Sequence, residues 1–246
     1  MRLLPVLALA ATLLAAPAPQ FAVVDDWGVH GDDLRLGCIG WPIRLDQVAK
    51  RLEMKEDAAR AFLKGLDEGL PLLVEQDKEN AVVGIWPVTA ELLAQELRLE
   101  LKLPKTAKVG KSFEIEVRLV NAGKAAHRVV LPRDGSESGW REPDARFEME
   151  VDGRWVTAGN PPRCGNYASN WHRDVAVLEP GESLKLDGYL SPRLSFDLTK
   201  PGKVRLRAVY DYSGGRSKGG KKPDPGPMGK TPPFRLVSNA AEIELK

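Results

Sequence analysis

Glu96-Leu97-Arg98-Leu99-Glu100-Leu101-Lys102-Leu103 decides how this chain folds. Leucine occupies every second position with a charge between, the period of a strand that buries one face. Just upstream the period is different. Thr89 is a suitable N-cap, and the residues after it read as a short helix running through Leu93. The change of period near residue 96 divides the 246-residue chain into a helical part, residues 19–96, and a β part, residues 97–246.

Towards the C-terminus the pattern stays β. Phe113, Ile115, Val117 and Leu119 alternate with Glu114, Glu116 and Arg118, and Ala122-Gly123 turns the chain into His127 to Leu131. Phe147 to Val151 and Arg154 to Val156 flank Asp152-Gly153, a strong two-residue hairpin signal. Pro180-Gly181 precedes Leu184 to Leu190. Pro201-Gly202 precedes the alternation of Val204, Leu206, Ala208, Tyr210 and Tyr212, and Phe234 to Leu245 closes the chain. Strands in this number, separated by turn residues, predict an antiparallel sandwich. The phrases Leu178-Glu179-Pro180-Gly181-Glu182-Ser183, Lys200-Pro201-Gly202-Lys203-Val204 and Ser238-Asn239 resemble immunoglobulin-like modules of exported bacterial proteins. They are similar to the phrasing of Bacillus-type intracellular proteinase inhibitors. The resemblance implies an immunoglobulin-like β-sandwich over residues 97–246 and leaves function open. Cys38 lies outside that region, so the intersheet disulfide of antibody domains cannot form within it.

Towards the N-terminus, Leu45, Val48, Ala49 and Leu52 form one helical stripe and Ala58, Phe62, Leu63 and Leu66 a second, with Gly69 placed to end it. Leu72 to Val74 and Ala81 to Trp86 read as a hairpin around Glu75 to Asn80. Helix, helix, hairpin resembles a winged helix. The expected fold class is therefore α+β in two domains, a winged-helix-like unit followed by the sandwich. DNA binding is not expected. The second helix sets Lys55, Arg60 and Lys64 against Glu56, Asp57, Asp67 and Glu68, and phosphate neutralisation needs a positive surplus.

Residues 1–18 read as a secretory signal: Arg2, an apolar run from Leu3 to Leu14, then Ala15-Ala16-Pro17-Ala18. The run is shorter than the roughly 20 residues a membrane span needs, so export to the periplasm or exterior is expected, without an integral anchor. Export allows Cys38 and Cys164 to oxidise, and a bridge between them would clamp the two parts together; a free, buried Cys38 is the alternative. A net charge of +2 offers no global field for nucleic acid.

The segment from Pro132 to Asp174 carries every basic charge as arginine: Arg133, Arg141, Arg146, Arg154, Arg163 and Arg173. Tyr, Trp and Arg are enriched at binding hot spots, so Trp140, Arg141, Arg163, Tyr167, Trp171 and Arg173 form a candidate binding surface. The competing expectation pairs the arginines with acids such as Asp144 and Glu148 and puts the tryptophans inside, Trp155 first among them. Cys164, Asn166, Asn170 and His172, or Ser169 with His172 and Asp174, hold the residue types of a nucleophile and base, but crowding along a loop supplies no hydrogen-bond chain, and no nucleophile elbow is present. Asp25, Asp26, His30, Asp32 and Asp33 match no metal loop, and His30, His127 and His172 are scattered, so neither metal nor cofactor is expected. Residues 213–233, with six Gly, five Pro, four Lys and Arg216, predict a mobile basic loop.

These readings point to a noncatalytic binding or interaction module for a protein or glycan partner. The alternatives are a protease inhibitor presenting Asn160-Pro161-Pro162-Arg163, a carbohydrate-binding module stacking sugars on Trp140 and Trp171, and a hydrolase built around His172.

Overall fold

The computed structural model describes residues 20–24, 27, 29–30, 35–36, 41–66, 71–132, 136, 142–157, 174–186, 196–214, 228 and 230–246. The fold is mostly β with three helices among the described residues, broadly α+β, and its sheets are predominantly antiparallel.

The N-terminal part begins with β1 (Gln20–Val24) and a small sheet of β2 (Val29–His30), β3 (Arg35–Leu36) and β4 (Trp41–Pro42). Helices α1 (Leu45–Arg51) and α2 (Glu56–Lys64) follow. The second helix ends at Gly65, whose N–H returns to the Ala61 carbonyl at 3.0 Å, and not at the expected Gly69, which lies outside the described residues. Next come β5 (Leu72–Gln76), β6 (Val82–Pro87) and α3 (Ala90–Glu96). Thr89 caps α3, its Oγ1 accepting from the Leu92 N–H at 3.2 Å. The helix continues past Leu93 to Glu96, so it runs into the next strand with no linker.

Strand β5 sits between β1 and β6 and is buried along its whole length. Successive side chains of a strand point to opposite faces, so it has a core on each side. Leu72 and Val74 join Val48 and Leu63 of the helices, whereas Leu73, with Val88 and Leu93, belongs to the core of the β part. Glu75, at the end of this strand, is neutralised by Arg51 of α1 at 2.6 Å.

The β part comprises β7 (Leu97–Lys102), β8 (Thr106–Ala107), β9 (Glu116–Asn121), β10 (His127–Val130), β11 (Asp144–Val151), β12 (Arg154–Thr157), β13 (Val175–Leu178), β14 (Ser183–Lys185), β15 (Gly202–Tyr212), β16 (Phe234–Val237) and β17 (Ala241–Leu245). One sheet has the order β14-β9-β7, and β10 pairs β13 beside it. The other has the order β12-β11-β15-β17-β8, with β16 also on β15. Asp152 and Gly153 both have positive φ, 49° and 74°, the geometry the hairpin signal requires. The strand expected from Phe113 begins only at Glu116, and the one expected over Phe234 to Leu245 is broken after Val237.

Trp155 is not in the core. It lies opposite Glu150 in the ladder, on the outer, charged face of the sheet, half-exposed, with the Arg207 guanidinium 4.3 Å above its ring. Alternation alone gives two faces, and here the charged face took the tryptophan because Arg207 caps the ring.

Tyr210 carries the core to the strand β10. Its hydroxyl donates to the Val130 carbonyl at 3.1 Å and accepts from the Val130 N–H at 3.2 Å, serving a residue whose backbone points away from β13. Burial pushes this phenol well above its ordinary range. Replacing Tyr210→Phe leaves both Val130 groups unserved and is expected to cost about 1–3 kcal/mol in urea unfolding. The unfolded chain's tyrosine ionises near pH 10, while the folded one stays protonated. Wild-type stability should therefore be lost as pH rises above about 10, and Tyr210→Phe should lack that part of the loss.

Candidate functional site

The described residues enclose a groove of about 770 Å³ where the two sheets of the β part meet. Ala94 of α3, the whole of β7, Glu116 and Arg118 of β9, and Arg235 to Val237 with Asn239 line it. Its origin lies in the strand 97–107. Residues Thr106 and Ala107 pair in parallel with Glu244 and Leu245, an offset of 138 positions. The same offset relates Leu101 to Asn239, and there the contact is made by a side chain: the Asn239 amide accepts from the Leu101 N–H and donates to the Leu101 carbonyl, each at 2.9 Å. From Lys102 back to Leu97 the strand pairs by its other edge with β9, in the opposite sheet. Pro104, which has no N–H to offer a ladder, stands at the handover.

The direction of each backbone group follows from the ladders. Asn121 donates to Glu182 and accepts from Gly181, and Val117 accepts from Leu186, so these β9 residues face β14. Their alternates Val120, Arg118 and Glu116 face β7, opposite Arg98, Glu100 and Lys102. Leu97, Leu99 and Leu101 therefore turn their backbone groups towards the groove, as the Asn239 contact at Leu101 requires. On the other wall Ser238 donates to Ala208 at 2.9 Å. This places Leu236 and Phe234 towards β15, and the backbone of Arg235 and Val237 towards the groove. The Val237 side chain is 42% exposed at the rim.

The rim is charged. Arg98, Lys102, Arg118 and Arg235 stand against Glu100 and Glu116. Arg118 bonds Glu116 and holds that carboxyl below its ordinary range. Arg235 is fixed from behind by the buried Glu148 at 3.0 Å, which also takes Arg207 at 2.6 Å. Arg146 pairs with Asp144 at 2.6 Å, so the expectation that arginines of the 132–174 segment meet acids holds at this described position.

The proposed surface of Trp140, Arg141, Arg163, Tyr167, Trp171 and Arg173 lies outside the described residues. So do Cys38 and Cys164, the loop Asn160 to Arg163, and Asn166, Ser169, Asn170 and His172. Asp25, Asp26, Asp32 and Asp33 also fall outside, as does most of the basic loop 213–233. His127 is described and buried. Its Nε2 meets Glu96 at 2.5 Å, and it borders a smaller cavity of about 360 Å³ with Phe21, Val23 and Val177. Gly123 leaves Glu96 its space, since a Cβ there would fall 2.6 Å from the carboxyl carbon. The pair joins the end of α3 to the start of β10, which is a structural pin.

Arg235, Val237 and Asn239 were not singled out from sequence as site residues, yet a signal existed. Apolar residues fall on even positions at Phe234 and Leu236 and on odd ones at Ile243 and Leu245, a phase change that marks a break at Ser238-Asn239. Replacing Asn239→Ala removes both bonds to Leu101 and is expected to cost about 1–3 kcal/mol in chemical unfolding, with Asn239→Asp, which keeps only the acceptor, falling between.

No protein-family model matches the chain, and no curated protein matches it.

Proposed function

We propose that this chain is an exported, noncatalytic interaction module whose partner is a protein bound along the groove between β7 and β16. Its β part is read as an immunoglobulin-like sandwich. Support comes from the two sheet orders and from a first strand shared between sheets, parallel to the last strand after the handover. The N-terminal part is read as winged-helix-like, supported by the order α1, α2, β5, β6 and by the pairing of β1 with β5. Export rests on the composition of residues 1–18. Among the described residues no helix is long and apolar enough to cross a membrane.

The groove carries the functional reading. It presents inward-turned backbone groups from two walls, an exposed valine and a charged rim, the mixture of an apolar centre and polar border found at protein interfaces. A benzophenone side chain placed at position 237, in protein secreted by its own producing cell, should give one saturable adduct that excess unlabelled protein suppresses. The same group at Lys111, exposed at a turn elsewhere on the sandwich, should give none. Equal labelling from both positions, or turnover of peptide, ester or glycan substrates by the purified chain, would contradict the proposal.

A further inference from the structure

We infer that the cavity of about 360 Å³ beside His127 takes a small apolar molecule with one hydroxyl, of alkylphenol size, whose O–H donates to Nδ1 of that histidine. The site is separate from the groove and does not depend on it. It lies where β1 and α3 of the N-terminal part meet β10 and β13 of the β part. Successive residues of β1 point to opposite faces. Ala22 and Val24 pack with the helices, whereas Phe21 and Val23 turn to the β part and wall the cavity. Val88, Leu93 and Met228, all buried, form its inner wall, and the largely exposed Val177 stands at its mouth. Apolar walls with few polar groups, around a volume of this order, are the form of small-molecule sites. At roughly 30 Å³ for each water-sized group, the space holds on the order of a dozen non-hydrogen atoms.

The histidine is the second, independent observation. Its side chain is only 4% exposed, and Nε2 is engaged by Glu96 at 2.5 Å. Its Nδ1 has no hydrogen-bond partner among the described residues. Buried polar groups are nearly always bonded, so this nitrogen calls for a partner from the cavity that His127 lines. A carboxylate only accepts, so the hydrogen of the neutral ring lies on Nε2, against Glu96, and Nδ1 presents a lone pair. A lone pair selects a donor. A hydroxyl supplies one, whereas an ether does not, and an ionised acid would lose its water against apolar walls for no bond. Arg128, Glu179 and Thr231 also border the cavity, so the nitrogen itself has to be read.

The test uses the full chain carrying isotope-labelled histidine, followed by NMR in mildly alkaline buffer, where neutral imidazole predominates. Para-ethylphenol should bind with a Kd near or below about 1 mM, the range open to a ligand of this size. It should move the His127 Nδ1 resonance upfield and leave those of His30 and His172 in place. Para-ethylanisole has nearly the same shape and no donor; it should bind at least about fivefold more weakly and leave Nδ1 unmoved. Ionised para-ethylbenzoate should bind at least about tenfold more weakly. Val23→Phe sets a ring inside the cavity and should weaken the phenol at least about tenfold. If that variant does not fold, the contrast among the three probes on the wild type decides.

No saturable binding of para-ethylphenol up to about 5 mM overturns the inference. Equal affinity for the anisole, preference for the benzoate, or a bound phenol that leaves Nδ1 unmoved overturns it as well. So does a folded Val23→Phe that binds the phenol as the wild type does, because the ligand then sits elsewhere. None of these results touches a position-237 adduct with a protein partner, which tests interaction along the groove separately.

Discussion

A strand can hydrogen-bond one neighbour along each edge, and residues 97–107 use one edge for β9 and the other, further along, for β17. The first half pairs with β9, the second with β17, and one register of 138 positions runs through the change. Where the strand lies on β17 it completes that sheet's edge. Where it pairs with β9, the strand before the last, β16, lacks a ladder neighbour on its far side and β7 lacks one on its second edge, among the described residues. The groove is the geometric consequence of that choice.

Side chains fill several places where a strand neighbour is missing. Asn239 serves Leu101, and Tyr210 serves Val130. Asn121, fully buried, donates to the carbonyls of Ala125 and Leu178 at 2.7 and 2.8 Å across the irregularity between β9 and β10. Buried backbone groups without partners are costly, so each substitute stabilises a departure from regular pairing. The N-terminal part is tied in by different means. Strand β5 is buried on both faces, α3 passes directly into β7, and His127 grips Glu96 at that junction.

Period and turn chemistry made the β part legible. The Leu97 to Leu103 alternation, the Asp152-Gly153 hairpin and the Thr89 cap all correspond to observed elements. Strands of two residues, such as β2 to β4, are too short for periodicity to register, and β1 gains its place only through pairing with β5. Trp155 was misread because alternation separates two faces without saying which is buried; its neighbours Glu148 and Glu150 carried that information. The groove was not legible as a site, because its chemistry is backbone chemistry and its formation depends on which sheet a strand joins. The arginine-rich segment gave a site hypothesis from composition, and its six named residues fall outside the described residues.

Amide hydrogen exchange of the free protein, read residue by residue by NMR, tests the open edge most directly. Leu99 and Leu101 are neighbours on one face of β7, with side chains 5% and 4% exposed, so burial alone predicts equal protection. The Leu101 N–H, held by Asn239, is expected to exchange slowly and the Leu99 N–H at least about tenfold faster. Equal, strong protection at Leu99 would show that its edge already has a partner, and β7 would then have no open edge.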